Sequence, residues 1–283
     1  MEDWVDSMLI LRNMPELPEV ETVRRQLHDR IAGKTIKDVL IFKTGRETPA
    51  GKKFIPAVVG RRLRGVERRA KVLVFRFADD DAILGHLKMT GKFLFVDKNY
   101  VPTKHDRMLF VFDSKTHMIW SDIRMFGYLK VVTSDGARDA LAHYGPEPLE
   151  ATPEELAERL ARKSARTIKA ALLDQTVIAG IGNIYADESL FRAGIKPTRR
   201  VDKLTADERL KLVTEVKKVL AESLAQNGTS ANDYIDTDGK KGGFQNLLKV
   251  YGRGGEACVD CSRPIKRIVA AQRGTHYCAN CQK

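Results

Sequence analysis

The sequence predicts an α+β chain of two domains, in which a β-sandwich or barrel precedes a helical part with a small metal-binding module. Three observations support this prediction. At 283 residues the chain is longer than a single hydrophobic core typically supports. Short segments rich in Val, Ile and Phe fill residues 36–132, whereas helical periodicity dominates after residue 151. All four cysteines fall within the last 26 residues.

The first half begins with a helix and continues as strands. Pro18 can open the helix at its first position, and Gly33 ends the pattern. Between them, apolar residues recur at helical spacing: Val20, Val23, Leu27 and Ile31. Strands are then predicted at 36–42, 54–59, 71–77, 82–87, 93–97, 108–112 and 127–132, and a helical pattern returns near 136–144.

A domain boundary is predicted at residues 145–151, where two prolines interrupt the pattern. Capping boxes at Thr152–Glu155 and Thr205–Glu208 then open helices. The second of these helices ends at Asn227-Gly228 and carries one apolar face, formed by Leu210, Val213, Val216, Leu220 and Leu224.

The composition limits the class of protein. Hydrophobic residues make up 43% and charged residues 30%, which excludes wholesale disorder, and no apolar run is long enough to span a bilayer. The formal net charge is +12. This excess indicates an anionic partner, most simply nucleic acid, although a ribosomal or membrane-surface protein could carry the same charge.

The basic residues form two clusters. Residues 61–71 hold six Lys or Arg against Glu67, and residues 240–283 hold nine against Glu256 and Asp260. We expect both halves of the chain to face one polyanion. Solvated faces that keep the protein soluble remain the alternative for either cluster alone, but the cysteines beside the second cluster favour nucleic acid.

The cysteines follow the spacing C-x2-C, sixteen residues, C-x2-C, formed by Cys258, Cys261, Cys278 and Cys281. Two such pairs can close a tetrahedral Zn2+ site; two disulfides or four free thiols are the alternative. Four thiolates leave no open position for water, so the predicted ion is structural. With every cysteine used as a ligand, a reducing compartment is predicted.

Residues 15–25, P-E-L-P-E-V-E-T-V-R-R, resemble the amino terminus of the formamidopyrimidine-DNA glycosylases, bacterial enzymes that excise oxidised purines. Other stretches resemble the same family in order, from Met14 to Lys283: residues 68–71, 86–91, 104–106, 122–127, 180–188 and 272–278. The resemblance implies an α+β multidomain fold. It has an N-terminal β-sandwich with flanking helices and a C-terminal helix-two-turn-helix domain with a four-cysteine zinc finger.

The implied domains are a catalytic β-sandwich at 14–145, a helix-two-turn-helix domain at 152–240 and a zinc finger at 245–283. Residues 1–13 lack the basic start and the long apolar core of a signal peptide. We expect this extension to be absent from the active enzyme, because a peptide bond to Met14 makes the nitrogen of Pro15 a non-nucleophilic tertiary amide. Translation from Met14 and removal of that methionine would free the amine.

The resemblance assigns catalytic roles to four residues. Pro15 corresponds to the nucleophile, and its amine suits attack on a sugar because an N-terminal amine has a lower pKa than a lysine. Glu16 corresponds to the general acid, Lys71 to the proton donor for β-elimination, and Arg273 to the donor for δ-elimination. Without this context, Pro15 would be taken as an ordinary helix start and the two cations as phosphate contacts.

DNA contacts are implied as well. A target base must leave the duplex, and Met89, Arg124 and Phe126 correspond to the residues that fill the hole. The glycine-flanked turn at 180–183 offers N–H groups at a helix start. The residues implied to touch DNA are His86, Met89, His105, Arg124, Phe126, Lys169 and Asn183. Residues 229–244 resemble the loop that closes over the extruded base.

The chain departs from the family pattern at four positions: Lys88, Ile123, Met125 and Ser164. These departures concern local DNA contacts and not the chemistry. The expected function is a bifunctional glycosylase and lyase that excises 8-oxoguanine and formamidopyrimidines and nicks the strand by β,δ-elimination. A non-catalytic binder of damaged DNA, should the extension be retained, and an endonuclease VIII-like pyrimidine glycosylase are the alternatives.

The expected partner is double-stranded DNA containing oxidised purines. We expect no membrane partner, a monomer, and a cytoplasmic, nucleoid-associated location in a bacterium.

Overall fold

The computed structural model describes residues 14–43, 51–231 and 233–283. The predicted extension at 1–13 lies outside these ranges. Within them, no helix is both long enough and apolar enough to cross a membrane.

The chain forms two compact units. Among the described residues, the N-terminal unit comprises 14–143 and 227–243, and the C-terminal unit comprises 144–226 and 244–283. The segment 227–243 thus packs with the first half of the chain, although more than eighty residues of the other unit precede it.

The N-terminal unit contains two four-stranded antiparallel sheets among its described residues, with strand orders β1-β6-β7-β5 and β2-β3-β4-β8. Its helices are α1 (Leu17–Ile31), α2 (Gly51–Val58) and α3 (Ser134–Leu141). Its strands are β1 (Ile36–Ile41), β2 (Leu63–Arg69), β3 (Val72–Phe77), β4 (Ala82–His86), β5 (Gly91–Val96), β6 (Asp106–Phe112), β7 (His117–Asp122) and β8 (Tyr128–Val132).

One apolar cluster joins the two sheets and α1. It includes Val20 and Leu27 of the helix together with Leu63, Phe75, Phe93, Phe110 and Trp120 of the strands. The two sheets therefore share a core, as the predicted β-sandwich requires. This core places the amino end of α1 and the loops after β4 and β7 in the same unit.

The C-terminal unit is helical and ends in a hairpin. Its elements are α4 (Pro153–Ala161), α5 (Ile168–Leu173), α6 (Asn183–Ala193), α7 (Ala206–Ala225), β9 (Lys266–Ala270) and β10 (Arg273–Tyr277), with short 3-10 turns at 201–203 and 244–247. Thr152 accepts the N–H of Glu155 at 3.2 Å, and Thr205 and Glu208 form a full capping box. Asn227 and Gly228 both have positive φ, which ends α7 where predicted.

Two sequence-based predictions are wrong in detail. Residues 54–58, predicted with Val59 as a strand, form the end of α2 instead, because Phe54 and Val58 lie one helical turn apart and are both buried. A short apolar run does not distinguish the two elements, and its Pro56 argues against a central strand. On α7, Leu210 is exposed whereas Leu212 and Val219 are buried, so the buried face is rotated from the predicted one.

Candidate functional site

The start of α1 is built around two glutamates. Glu16 is the N-cap of the helix, and its backbone N–H donates to Oε2 of Glu19 at 2.8 Å. The Glu16 side chain accepts the N–H of Glu19 in return, which completes a capping box. Pro15 is buried, and Glu16 and Glu19 are only 4% and 2% exposed. The predicted nucleophile and acid are therefore held in a fixed, water-poor position.

The second oxygen of Glu19 reaches the segment 227–243. Oε1 accepts the N–H of Thr229 at 2.7 Å. Gly228 is required beside it, because its φ is +88° and a Cβ there would lie 2.9 Å from the same oxygen. Gln26 holds the other end of the segment through Thr237 and Asp236. The loop that resembles the base-covering loop is thus attached to the helix that begins with Glu16.

Lys71 lies at the tight turn between β2 and β3 and is 8% exposed. Ala70 precedes it with φ +53°, and its carbonyl accepts from Arg68 at 2.8 Å. Arg68 also donates to Glu21 on α1 at 3.0 Å. Although burial raises the pKa of Glu21, hydrogen bonds from Arg24, Arg25 and Arg68 hold it below its usual value. The charged network fixes the turn that carries Lys71.

The basic cluster at 61–71 is partly neutralised within the protein. Arg61 pairs with Asp79 and Asp81, and Arg64 pairs with Asp80. Arg68 is committed to Glu21. The cluster therefore offers less free positive charge to a polyanion than its sequence indicates.

His86 ends β4 in a mostly buried position. Its Nδ1 accepts the N–H of Lys88 at 3.0 Å, and its ring lies 5.8 Å from that of Tyr128. Burial, together with the charges of Lys88 and Lys71, lowers the pKa of His86 to about 3. The ring is therefore neutral at physiological pH and carries its proton on Nε2, where it can donate to a phosphate or a sugar.

The three residues predicted to fill the hole lie on two neighbouring loops. Nη1 of Arg124 lies 3.0 Å from Sδ of Met89, and its guanidinium lies 4.9 Å from the centre of the Phe126 ring. Phe126 is 52% exposed. Ile123 and Met125, two departures from the family pattern, are also exposed, so the surface around Arg124 is apolar. Lys88, a third departure, adopts φ +52°.

The remaining predicted contacts occupy less exposed places. His105 lies on the loop before β6, where its carbonyl accepts from Asp122 and Ser121. Asn183 begins α6 and uses one amide N–H to donate to the Gly274 carbonyl at 2.9 Å, while its buried Oδ1 has no partner among the described residues. Ser164, the fourth departure, accepts from the backbone of Asp202.

Arg273 is presented by a strained hairpin turn. Ala270 and Arg273 pair across the turn, and the two residues between them, Ala271 and Gln272, have φ of +51° and +57°. This is the geometry of a type I′ turn, which normally selects Asn or Gly. Strain of this kind clusters at functional sites.

Lys169 does not fit a direct contact with DNA, because its side chain is fully buried. Its ammonium donates to Asp187 at 2.6 Å and to Thr275 at 2.7 Å. The other oxygen of Asp187 accepts the N–H of His276 at 2.9 Å. Lys169 and Asp187 therefore anchor the hairpin that carries Arg273 onto α5 and α6.

Sequence reasoning overlooked the acids inside the motifs it recognised. Asp122, Asp187 and Glu188 are at most 1% exposed, and each accepts backbone N–H groups of a neighbouring loop. Glu188 alone accepts from three successive residues before the zinc finger: Lys249, Val250 and Tyr251. The sequence signal that could have identified these acids is their position within motifs otherwise rich in Gly and Arg.

The four cysteines form one cluster. Their sulfur atoms all lie within 4.8 Å of one another, with 3.9 Å between Cys258 and Cys281 and 3.5 Å between Cys261 and Cys278. A tetrahedral ion with Zn–S bonds of about 2.3 Å places its sulfurs about 3.8 Å apart. The cluster fits a structural zinc ion, with all four positions filled by protein.

Three family models match the chain. The formamidopyrimidine-DNA glycosylase N-terminal domain matches residues 14–129, and the formamidopyrimidine-DNA glycosylase H2TH domain matches 144–234. The zinc finger found in FPG and IleRS matches 255–283.

Similar proteins cover nearly the whole chain. The formamidopyrimidine-DNA glycosylase of Geobacillus kaustophilus is 44% identical, and that of Desulfitobacterium hafniense 46%; each match covers 95% of this chain and 100% of the relative. The solved complex of Lactococcus lactis Fpg (MutM) with a Fapy-dG containing DNA is 34% identical, with a TM-score of 0.86, covering 95% of this chain and 100% of that one. The solved MutM (Fpg) protein from Thermus thermophilus is 40% identical, with a TM-score of 0.84, covering 95% and 98%.

The sandwich, the helical unit and the four-cysteine finger define a DNA-binding protein of the repair glycosylase class. The chain belongs to the formamidopyrimidine-DNA glycosylase family. It is a glycosylase of base excision repair, and lyase activity is typical of its family.

Removing zinc should abolish DNA binding while the β-sandwich stays folded, because the metal supplies the folding energy of the finger alone. The form beginning at Pro15 contains Trp120 as its only tryptophan, and this side chain is 1% exposed. Its fluorescence therefore reports the sandwich, while anisotropy of a labelled duplex reports binding and mass spectrometry reports metal content. Added zinc should restore binding. Full binding by metal-free protein would contradict the structural role.

The low pKa of His86 should make the N-terminal unit less stable in acid. An unfolded histidine titrates near 6.5, so below that pH the unfolded chain binds a proton that the folded chain refuses. Stability should be level above pH 6.5 and fall toward pH 3. The free energy of unfolding is measured at pH 7.5 and at pH 5 by urea unfolding with Trp120 fluorescence. We expect His86→Gln to reduce the difference between these two free energies by about 2 kcal/mol. The same change at exposed His143 is the control; an unchanged difference in His86→Gln would refute the assignment.

Proposed function

We propose that this protein excises oxidised purines, 8-oxoguanine and formamidopyrimidines, from double-stranded DNA and then nicks the strand by β,δ-elimination. The observation that carries the proposal is the buried capping box that holds Glu16 beside Pro15 at the start of α1. The relatives solved with Fapy-dG and abasic-site DNA support the choice of lesion. Leu17 also supports the purine-directed branch, since the endonuclease VIII-like pattern has glycine there.

The chemistry begins at the amine of Pro15. Its nitrogen attacks C1′ of the damaged nucleotide and gives up its N–H proton, while the bond from C1′ to the base breaks, its electron pair leaves on the base, and the base takes up a proton. Glu16 protonates O4′ as the sugar ring opens, which leaves an iminium between Pro15 and C1′. Because proline is a secondary amine, this iminium stays charged and acts as the electron sink for elimination.

Two cations assist the strand cleavage. The fixed turn at Ala70 presents Lys71, which we assign to proton donation in β-elimination and to phosphate binding. Arg273, at the tip of the hairpin, is assigned to δ-elimination. Lys169 is assigned to positioning this hairpin and not to the DNA itself.

The remaining residues serve recognition. Neutral His86 and the loop of His105 are assigned to the DNA backbone, as is the turn at Asn183. Met89, Arg124 and Phe126 are assigned to the space left by the extruded base. The enzyme is proposed to act as a monomer in the bacterial cytoplasm, associated with the nucleoid and with no membrane partner.

Only a chain that begins at Pro15 should form a covalent complex with damaged DNA, because the amide nitrogen of an extended chain has no free electron pair. Three forms are compared, beginning at Met1, Met14 and Pro15, each verified by intact mass. Each is mixed with an 8-oxoguanine duplex and borohydride. The Met14 form differs from the active one by a single residue and is the matched control. Equal trapping by the Met1 form would show that another amine is the nucleophile.

Glu16→Gln should slow base excision by at least about 100-fold and leave DNA affinity unchanged. Glutamine keeps the oxygen that accepts the N–H of Glu19, so the cap survives while the acid is lost. Single-turnover release of 8-oxoguanine measures the chemistry, and anisotropy with an uncleavable tetrahydrofuran duplex measures binding. Glu67→Gln on exposed β2 is the control. Wild-type turnover by Glu16→Gln would remove Glu16 from the acid role.

A further inference from the structure

Asp122 is the last residue of β7 and lies at the centre of three loops. It is 1% exposed. The loop after β4 carries Met89, the loop before β6 carries His105, and the loop after β7 carries Arg124 and Phe126. No role in the proposed chemistry accounts for a buried acid at this point.

Both carboxylate oxygens of Asp122 are occupied by loop donors. Oδ1 accepts the hydroxyl of Thr90 and, at 3.2 Å, the N–H of Arg124. Oδ2 accepts the N–H of Gly127 at 2.7 Å. Thr90 closes the triangle, because its Oγ1 also accepts the Arg124 N–H at 3.0 Å. The residue after Met89 and the residues bracketing Phe126 thus share one carboxylate.

The backbone of Asp122 is fixed as firmly as its side chain. Its N–H donates to the His105 carbonyl at 3.0 Å, and its carbonyl accepts Nε of the buried Arg107 at 2.9 Å. Asp122 pairs with Gly91 across the β5–β7 ladder. A Cβ on Gly91 would lie 2.5 Å from the Leu87 carbonyl oxygen, so the loop of Met89 has little room to shift.

We propose that Asp122 is a positioning residue that makes the Met89 loop and the Arg124–Phe126 loop enter the DNA as one unit. The proposal rests on the proposed function, which assigns these loops to the space left by the extruded base. Asp122 itself touches no DNA, because it is buried. It acts through Thr90, Arg124 and Gly127, whose N–H and hydroxyl groups would otherwise let the two loops move separately.

This coupling matters because an apolar wedge and a cation must arrive together. Met89 and Phe126 gain from leaving water, whereas Arg124 gains only if it meets the polar edge of the orphaned base. Sδ of Met89 and Nη1 of Arg124 are already 3.0 Å apart. A wedge loop that enters alone would open the stack without filling it.

The test uses the form beginning at Pro15 and a duplex with 2-aminopurine opposite a tetrahydrofuran site. Filling of the hole changes 2-aminopurine fluorescence. Asp122→Asn places an N–H₂ against a loop donor, and Thr90→Val removes the shared hydroxyl at nearly constant size. We expect each to reduce the fluorescence change and the 8-oxoguanine excision rate by about tenfold. In a double-mutant cycle the two losses should not add, because both break one unit.

Asp113→Asn is the matched control. Asp113 accepts a backbone N–H from Thr35 at 3.1 Å, but it lies on the exposed β6–β7 turn, at the other end of β7. Asp113→Asn should leave the 2-aminopurine fluorescence change and the 8-oxoguanine excision rate unchanged. Thermal unfolding followed by Trp120 fluorescence shows whether Asp122→Asn is folded. If it is not, Thr90→Val still tests the proposal.

Borohydride trapping on an abasic-site duplex distinguishes failure of the coupling role of Asp122 from failure of the proposed function. Trapping should persist in all variants, since Pro15 and Glu16 are untouched. Normal trapping with unchanged fluorescence in Thr90→Val, or fully additive losses, would overturn the coupling role alone. Failure of the wild-type protein to trap would overturn the proposed function and the coupling with it.

Discussion

The buried carboxylate of Glu19 holds two segments that are more than two hundred residues apart in the chain. One oxygen accepts the N–H of Glu16 and the other accepts the N–H of Thr229. A buried N–H without a partner costs about 1–3 kcal/mol, so loss of the Glu19 side chain would impose that cost on both segments. The start of α1 and the segment 227–243 are therefore both attached to this one side chain.

The same solution recurs wherever a functional loop leaves regular structure. Asp122 accepts a backbone N–H from the loop that carries Phe126, Asp187 accepts one from the hairpin of Arg273, and Glu188 accepts one from the segment before the zinc finger. A carboxyl side chain offers several acceptor sites on its two oxygens, which suits a loop whose N–H groups have no strand to pair with. Burial makes each of these hydrogen bonds stronger than its solvent-exposed equivalent.

Much of this protein could be inferred from local patterns. The cysteine spacing predicts a single metal site because ligand number and geometry leave few alternatives, and the capping box at Thr205 predicts a helix start by chemistry internal to four residues. The resemblance of residues 15–25 to a known family indicated catalytic roles for individual residues, which composition alone could not indicate. Strands with clear runs of apolar residues, such as 72–77 and 108–112, were also recognisable.

What escaped prediction depends on distant partners. Lys169 looks like any surface cation until Asp187 and Thr275 are found around it, and Arg68 looks free until Glu21 is seen. Strand β2, with its four charged residues, has no hydrophobic run to identify it. Nothing near residue 227 indicates that the next seventeen residues belong to the other unit.

That discontinuity has a consequence for how the chain is made. During synthesis the sandwich strands emerge long before residues 227–243, so the N-terminal unit waits for its final segment until most of the helices have been translated. Until then Glu19 lacks the N–H of Thr229, and Gln26 lacks Thr237. Contacts between such distant residues close late because loop entropy must be overcome first. The newborn protein therefore completes the surroundings of Pro15 and Glu16 last, after the ribosome has produced nearly the whole chain.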